Sequence, residues 1–222
     1  MKGEQKMKLE YSEKAKQSAM SKFQAKKIGD GKRGPFYNKT QEWFFEKNDL
    51  ELFKNAVWQG YLDASRTFTG IKGTNKDEGA FLNLAKSIKK YFDEGESEFT
   101  HDKWCKDFIR DIKNYNGYDA RYGQAQKVVN MAFKYLYCCN GAEIYRDSKF
   151  NECHMPLDQF TLAWFFTEEG ILYQEWSWFS EDLYKKVTEK IREILKDDIL
   201  GKEQIIWNKY KDSIVNLKKT HK

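Results

Sequence analysis

Proline is scarce in this chain: only Pro35 and Pro156 occur in 222 residues. Proline breaks helices by removing a backbone donor and clashing with the preceding turn, so its rarity leaves room for long ones. No apolar run comes near the ~18 residues that a membrane span needs. The start lacks the charged and apolar regions of a secretory leader, which makes the cytoplasm the expected location. Cysteine is limited to Cys105, Cys138, Cys139 and Cys153, and without a leader these read as free buried thiols. Cys138-Cys139 with Cys153-His154 can be drawn as a zinc site, but an adjacent pair lacks the short gap of a zinc knuckle. The expectation is therefore no metal and no cofactor. No internal repeat or low-complexity tract stands out.

Charge of both signs is plentiful, and the net +5 is unevenly placed. Residues 1–34 hold ten Lys/Arg against four Asp/Glu, and the last six residues are also basic. The stretch 35–216 is net acidic. A DNA partner needs cations at the contact surface, not a high total, so this balance permits nucleic acid without demanding it; solvated basic tails read equally well. Aromatic residues make up 16% of the chain. At that density they mostly fill a core, and Trp58, Trp164, Trp176 and Trp178 do not by themselves define a base pocket.

Long segments carry apolar residues at a 3.6-residue rhythm, which with the scarce proline predicts an all-α fold. The length suits one well-buried core. The polar segment 8–28 predicts a helix that docks weakly, and Gly29-Asp-Gly-Lys-Arg-Gly-Pro35 is the best linker. This divides the chain into a basic segment and linker, 1–34, and a helical domain, 35–222. Thr40 predicts the cap of a short helix containing Trp43 and Phe44. Asp49, Thr100 and Ser180 read as N-caps of later helices. Further helices are expected over 78–92, 101–114, 123–139, 180–198 and 202–217, with Pro156 in the first turn of another.

The richest stretch is Tyr122-Gly-Gln-Ala-Gln-Lys127-Val-Val-Asn-Met-Ala-Phe-Lys134. On a helix, Val128, Met131, Ala132, Tyr135, Leu136 and Cys139 form the core stripe. Lys127 and Lys134 stand two turns apart, aligned to within about 20° with Asn130 between them. Lys127 lies near the positive end of the helix, where a cation is disfavoured, and a neutral amine is what a lysine nucleophile needs. A solvated lysine or a simple phosphate contact explains the same residue. Asp158, in Met155-Pro-Leu-Asp158, sits at a helix start, where a carboxylate caps orphan N–H groups. So fixed, it is also aimed, and can stabilise an oxocarbenium cation. Gly117 and Gly123 bracket a turn whose backbone N–H groups, helped by Arg121 and Gln124, could bind phosphate; an ordinary helix connection reads equally well.

These residues resemble the catalytic half of the helix-hairpin-helix DNA glycosylase superfamily, over roughly 101–166. The Lys127-Val-Val-Asn-Met-Ala-Phe-Lys134 spacing and its distance to Pro156-Leu-Asp158 most resemble the archaeal 8-oxoguanine glycosylase branch. The chain is also similar to uncharacterised bacterial proteins with Ala-Gln-Lys and His-x-Pro-x-Asp segments. Two departures stand beside the resemblance: the family's hairpin glycines are separated by one residue, whereas Gly117 and Gly123 are six apart, and residues 1–100 show no correspondence. The resemblance implies that Lys127 attacks a sugar C1′ to form a Schiff base, that Asp158 assists base departure, and that Gly117, Arg121, Gly123, Gln124 and Lys134 face DNA. The first reading is a DNA-binding glycosylase and lyase acting on an altered purine. The alternative is a non-catalytic helical protein that binds nucleic acid or another protein.

Overall fold

The computed structural model describes residues 9, 11–28, 44–94, 100–151, 153–169 and 175–220. The expected linker at 29–35, Thr40 and Trp43 lie outside these. The described residues form eight α-helices: α1 (Glu13–Ile28), α2 (Leu50–Ala64), α3 (Gly79–Glu94), α4 (His101–Asn116), α5 (Tyr122–Tyr137), α6 (Gln159–Glu169), α7 (Glu181–Leu195) and α8 (Ile199–Thr220). The architecture is all-α; the one β-type contact among the described residues is an isolated bridge between Phe44 and Asn140. No helix among them is long and apolar enough to cross a membrane.

Local chemistry sets the helix ends. Asp49 accepts the Glu51 N–H, Thr100 the Lys103 N–H and Ser180 the Leu183 N–H, so the three expected caps each satisfy an orphan donor. α4 ends where Gly117 turns left-handed at φ 62°, a conformation that glycine adopts without a Cβ penalty. Several boundaries differ from the expectation: α7 ends at Leu195 rather than near 198 and α8 begins at Ile199 rather than 202, and two further differences have a local cause. Pro156 lies ahead of α6 rather than in its first turn, because Asp158 takes the cap position and the helix begins at Gln159. Phe44 is extended, bridging to Asn140 instead of entering a short helix.

α5 is the axis of the molecule, and every residue from Tyr122 to Tyr137 is buried. The apolar stripe expected along one side is there, but the polar side is enclosed as well. α2 and α4 pack along it, α3 bridges those two, and α6 and α1 both lean on α8. An aromatic cluster of Phe45, Phe53, Phe92, Tyr145 and Phe150 seals one end. α1 is held to α8 by more than its weak apolar rhythm suggested. Ala19, Met20 and Phe23 are buried, and Lys16 places its ammonium 2.7 Å from Asp198, whose other oxygen accepts the Tyr137 hydroxyl.

Gly60 of α2 lets that helix approach the α5 backbone closely. A Cβ at that position would lie 2.5 Å from the Val128 carbonyl oxygen and 3.2 Å from the Ala132 nitrogen, both in the α5 backbone. Neither helix can yield without disturbing a fully buried neighbour. Gly60→Ala is therefore expected to lower stability by about 1–3 kcal/mol, the usual cost of overpacking, measured by urea unfolding. An unchanged midpoint would show that the two helices part easily.

Candidate active site

Enclosing the polar side of α5 forces each of its side chains to find a partner, since an unpaired buried charge or amide is costly. Lys127 reaches the N-terminus of α6. Its Nζ lies 2.9 Å from Asp158 Oδ2, and the two side chains are only 4% and 15% exposed. The other carboxylate oxygen, Oδ1, accepts the backbone N–H groups of Phe160 and Thr161, while the Asp158 N–H donates to the Thr161 hydroxyl. Asp158 thus caps α6 and faces the lysine at once. Burial pushes the Asp158 carboxyl upward, but the Lys127 charge, its hydrogen bond and the Thr161 N–H together bring it below the usual carboxylate range.

Lys134, two turns on, projects into the same region. Its Nζ sits 2.9 Å from Glu203 Oε1 and 2.8 Å from Oε2, and this pair is almost wholly enclosed. Burial drives the Glu203 carboxyl up from its ordinary value, with Lys134 opposing. One turn beyond Glu203 on α8, Trp207 donates its indole N–H to Asp158 Oδ2 over 3.1 Å. Its ring meets Phe160 edge-on. A cleft of about 600 Å³ opens here, bounded by Phe23, Phe160, Trp176 and Trp207, with Lys127 and Asp158 on its floor and Arg66 and Lys211 in its lining. That size lies within the range of small-molecule sites.

The sequence-predicted residues divide sharply. Lys127, Asp158 and Lys134 meet in the cleft, though Lys134 is buried in its ion pair. Gly123, Gln124 and Arg121 serve the fold's own contacts. The Gly123 N–H donates to the Phe179 carbonyl, and a Cβ there would fall 2.0 Å from the Trp176 carbonyl oxygen. The buried Gln124 amide donates to the Thr67 carbonyl and the Tyr118 hydroxyl and accepts the Arg121 N–H. Arg121 donates Nε–H to the Ser177 carbonyl and covers the Trp178 ring at 3.9 Å. Gly117 caps α4. The backbone N–H groups of Gly117 and Gly123, expected to meet phosphate, thus donate within the chain. The residues drawn as a zinc site go to separate partners: Cys138 Sγ accepts from Gln204, Cys139 faces the Tyr135 carbonyl, Cys153 the Lys149 carbonyl, and His154 the Tyr184 hydroxyl. Trp207, Glu203 and Phe23 are contributors that sequence reasoning missed. The one available signal was the need of a buried Lys134 for a carboxylate, and nothing in the sequence says which.

Behind the cleft lies a second polar cluster. His101 and His154 stack with ring centroids 4.2 Å apart. His101 Nε2 is 2.6 Å from Asn130 Oδ1, and the Tyr184 hydroxyl is 2.9 Å from both His154 Nδ1 and Asn130 Nδ2. One arrangement of protons satisfies these groups with both rings neutral: His101 donates from Nε2, and His154 accepts the tyrosine proton at Nδ1.

Comparison of the chain with protein-family models, with curated proteins and with solved structures finds no match.

Burial holds His101 down at about 4, against the pull of Asn130 and Asp102, and holds His154 well below its ordinary value, helped by His101 and Arg192. For a histidine depressed on folding, the stabilising contribution is complete above the unfolded value near 6.5 and is lost as pH falls toward the folded one. Stability should therefore drop between pH 7 and 5, by about 2 kcal/mol from His101 alone. Urea unfolding across this range measures it, and a His101→Gln, His154→Gln double variant should show a flatter slope. An equal slope in both proteins would contradict the assignment.

Proposed function

We propose that the chain is a DNA-binding protein of glycosylase and lyase type, removing an altered purine through a Schiff base on Lys127. The observation that carries this reading is the Lys127–Asp158 contact of 2.9 Å on the floor of a cleft walled by aromatic rings. A base turned out of a duplex needs flat apolar faces to replace its lost stacking; Trp176, Trp207 and Phe160 supply such faces. Arg66 and Lys211 offer cations at the same opening for phosphate contacts.

The chemistry follows from the pair. Asp158 Oδ2 is the nearest acceptor for a Lys127 proton, and the freed amine then has a lone pair for C1′ of the everted nucleotide. As the nitrogen–carbon bond forms, the bond from C1′ to the base breaks, and the base leaves with that electron pair and takes up the proton that Asp158 received from Lys127. Opening of the sugar ring moves one of the two amine protons to the ring oxygen and leaves a protonated imine. Loss of a C2′ proton then expels the 3′ phosphate. Having handed the lysine proton on to the base, the Asp158 carboxylate is an anion again and opposes the positive charge developing on the sugar. The α6 N-terminus and the Trp207 N–H keep that anion in place with no reorganisation.

Borohydride reduction of the imine on duplex DNA carrying 8-oxoguanine or an abasic site tests this directly. The unmodified protein is expected to yield a covalent adduct, and Lys127→Gln to yield none while keeping its helical circular dichroism. Asp158→Asn should slow adduct formation on the base-bearing duplex at least 10-fold; asparagine keeps the cap, so the stability lost, several kcal/mol, comes from the missing counter-charge to Lys127. An adduct that survives Lys127→Gln removes this residue from the role. A protein that binds the duplex yet never forms an adduct is the non-catalytic alternative, which the fully partnered Lys134 and Gln124 side chains also suit.

A further inference from the structure

Asp158 follows a segment of non-helical chain, 153–157, that has no sheet neighbour to fix its register. Its carbonyls are held by side chains. Arg192 of α7 donates to the carbonyls of Asn151 and Cys153, at 3.1 and 3.2 Å. Asn130 of α5 donates to the Met155 carbonyl at 3.2 Å. The Thr161 hydroxyl donates to that of Pro156 at 3.0 Å, and Gln126 of α5 lies 3.4 Å from that of Leu157. Proline suits this strap because it has no N–H to satisfy.

Asn130 is the junction of the arrangement. Its amide nitrogen touches Gln126 Oε1, the Met155 carbonyl and the Tyr184 hydroxyl, while its oxygen accepts from His101. Gln126 and Asn130 flank Lys127 on α5, one residue before it and three after. The helix that carries the amine therefore also grips the strap that carries the carboxylate. His154 ties the other end of the strap to Tyr184.

We infer that Asn130 is a positioning residue: with Gln126, it sets the register of the Met155–Asp158 strap along α5 so that the carboxylate arrives at Lys127 and nowhere else. A one-residue slip of an extended strap would turn the next side chain to the opposite face, presenting Leu157 to the lysine. The His101–Tyr184–His154 set then has the task of orienting the Asn130 amide, because a flipped amide would present oxygen to the Met155 carbonyl. The consequence for activity rests on the reading proposed above; the positioning itself does not.

The test separates the two. Lys127 is shielded and paired, so a water-soluble succinimidyl ester should label it slowly in the native protein, as read by peptide mass spectrometry. Asn130→Ala and the milder Tyr184→Phe, both checked as folded by urea unfolding, should label Lys127 at least 10-fold and about 3-fold faster. In borohydride trapping on abasic duplex at saturating DNA, Asn130→Ala should lower the rate constant at least 10-fold while leaving half-saturation unchanged. Folded Asn130→Ala with native labelling of Lys127 overturns the inference, because a merely structural asparagine would lower the urea midpoint and leave the amine shielded. Faster labelling in a protein that never traps DNA upholds the positioning role and sinks the glycosylase reading alone.

Discussion

An ammonium group enclosed by protein must meet a counter-charge, and the contact between Lys127 and Asp158 is where this fold answers that demand most consequentially. The two residues come from different elements, the second turn of the central helix and the residue just before α6. Bringing them to 2.9 Å requires α5 to be surrounded, the strap at 153–157 to hold one register, and α6 to begin at Gln159. Shifting any of these would leave a buried charge without a partner, a cost of several kcal/mol. The same residue that caps a helix thereby becomes the acid end of an ion pair.

Ion pairs of this kind are weak evidence for stability, since desolvation cancels much of the Coulomb attraction. Two of them side by side, with Trp207 reaching Asp158 from one turn beyond Glu203 on α8, are better understood as fixing geometry. Lys134 and Glu203 neutralise each other and close the floor. Lys127 and Asp158 complete that floor, with the carboxylate held at both oxygens. α1 completes the enclosure: Phe23 lies against the Lys134 ammonium and Tyr135, so the basic N-terminal helix is part of the cleft wall as well as a source of charge.

The sequence was legible where local rules act. Asp49, Thr100 and Ser180 cap the helices expected of them, and Lys127, Lys134 and Asp158 stood out by helical spacing and by the chemistry of a carboxylate at a helix start. It was opaque where enclosure decides. Gln124, Gln126, Asn130 and Lys134 look like a solvated helix face until the packing of several other elements around α5 is known, and that packing is a property of contacts distant in the chain. Glu203 and Trp207 lie in a segment whose periodicity marks a helix but says nothing of which residues face a cleft. Gly123 is a further case: a glycine near a helix start suggests a phosphate-binding turn, and only the packing shows the Trp176 carbonyl that its missing side chain leaves room for.

A double-mutant cycle across Lys127 and Asp158 tests the central contact most directly, using unfolding free energies of Lys127→Met, Asp158→Asn and the two combined. A direct, enclosed ion pair predicts a coupling energy of about 1–3 kcal/mol, with the double variant more stable than the sum of its parents' losses implies. Additivity to within about 0.5 kcal/mol would mean that the two groups do not meet in solution.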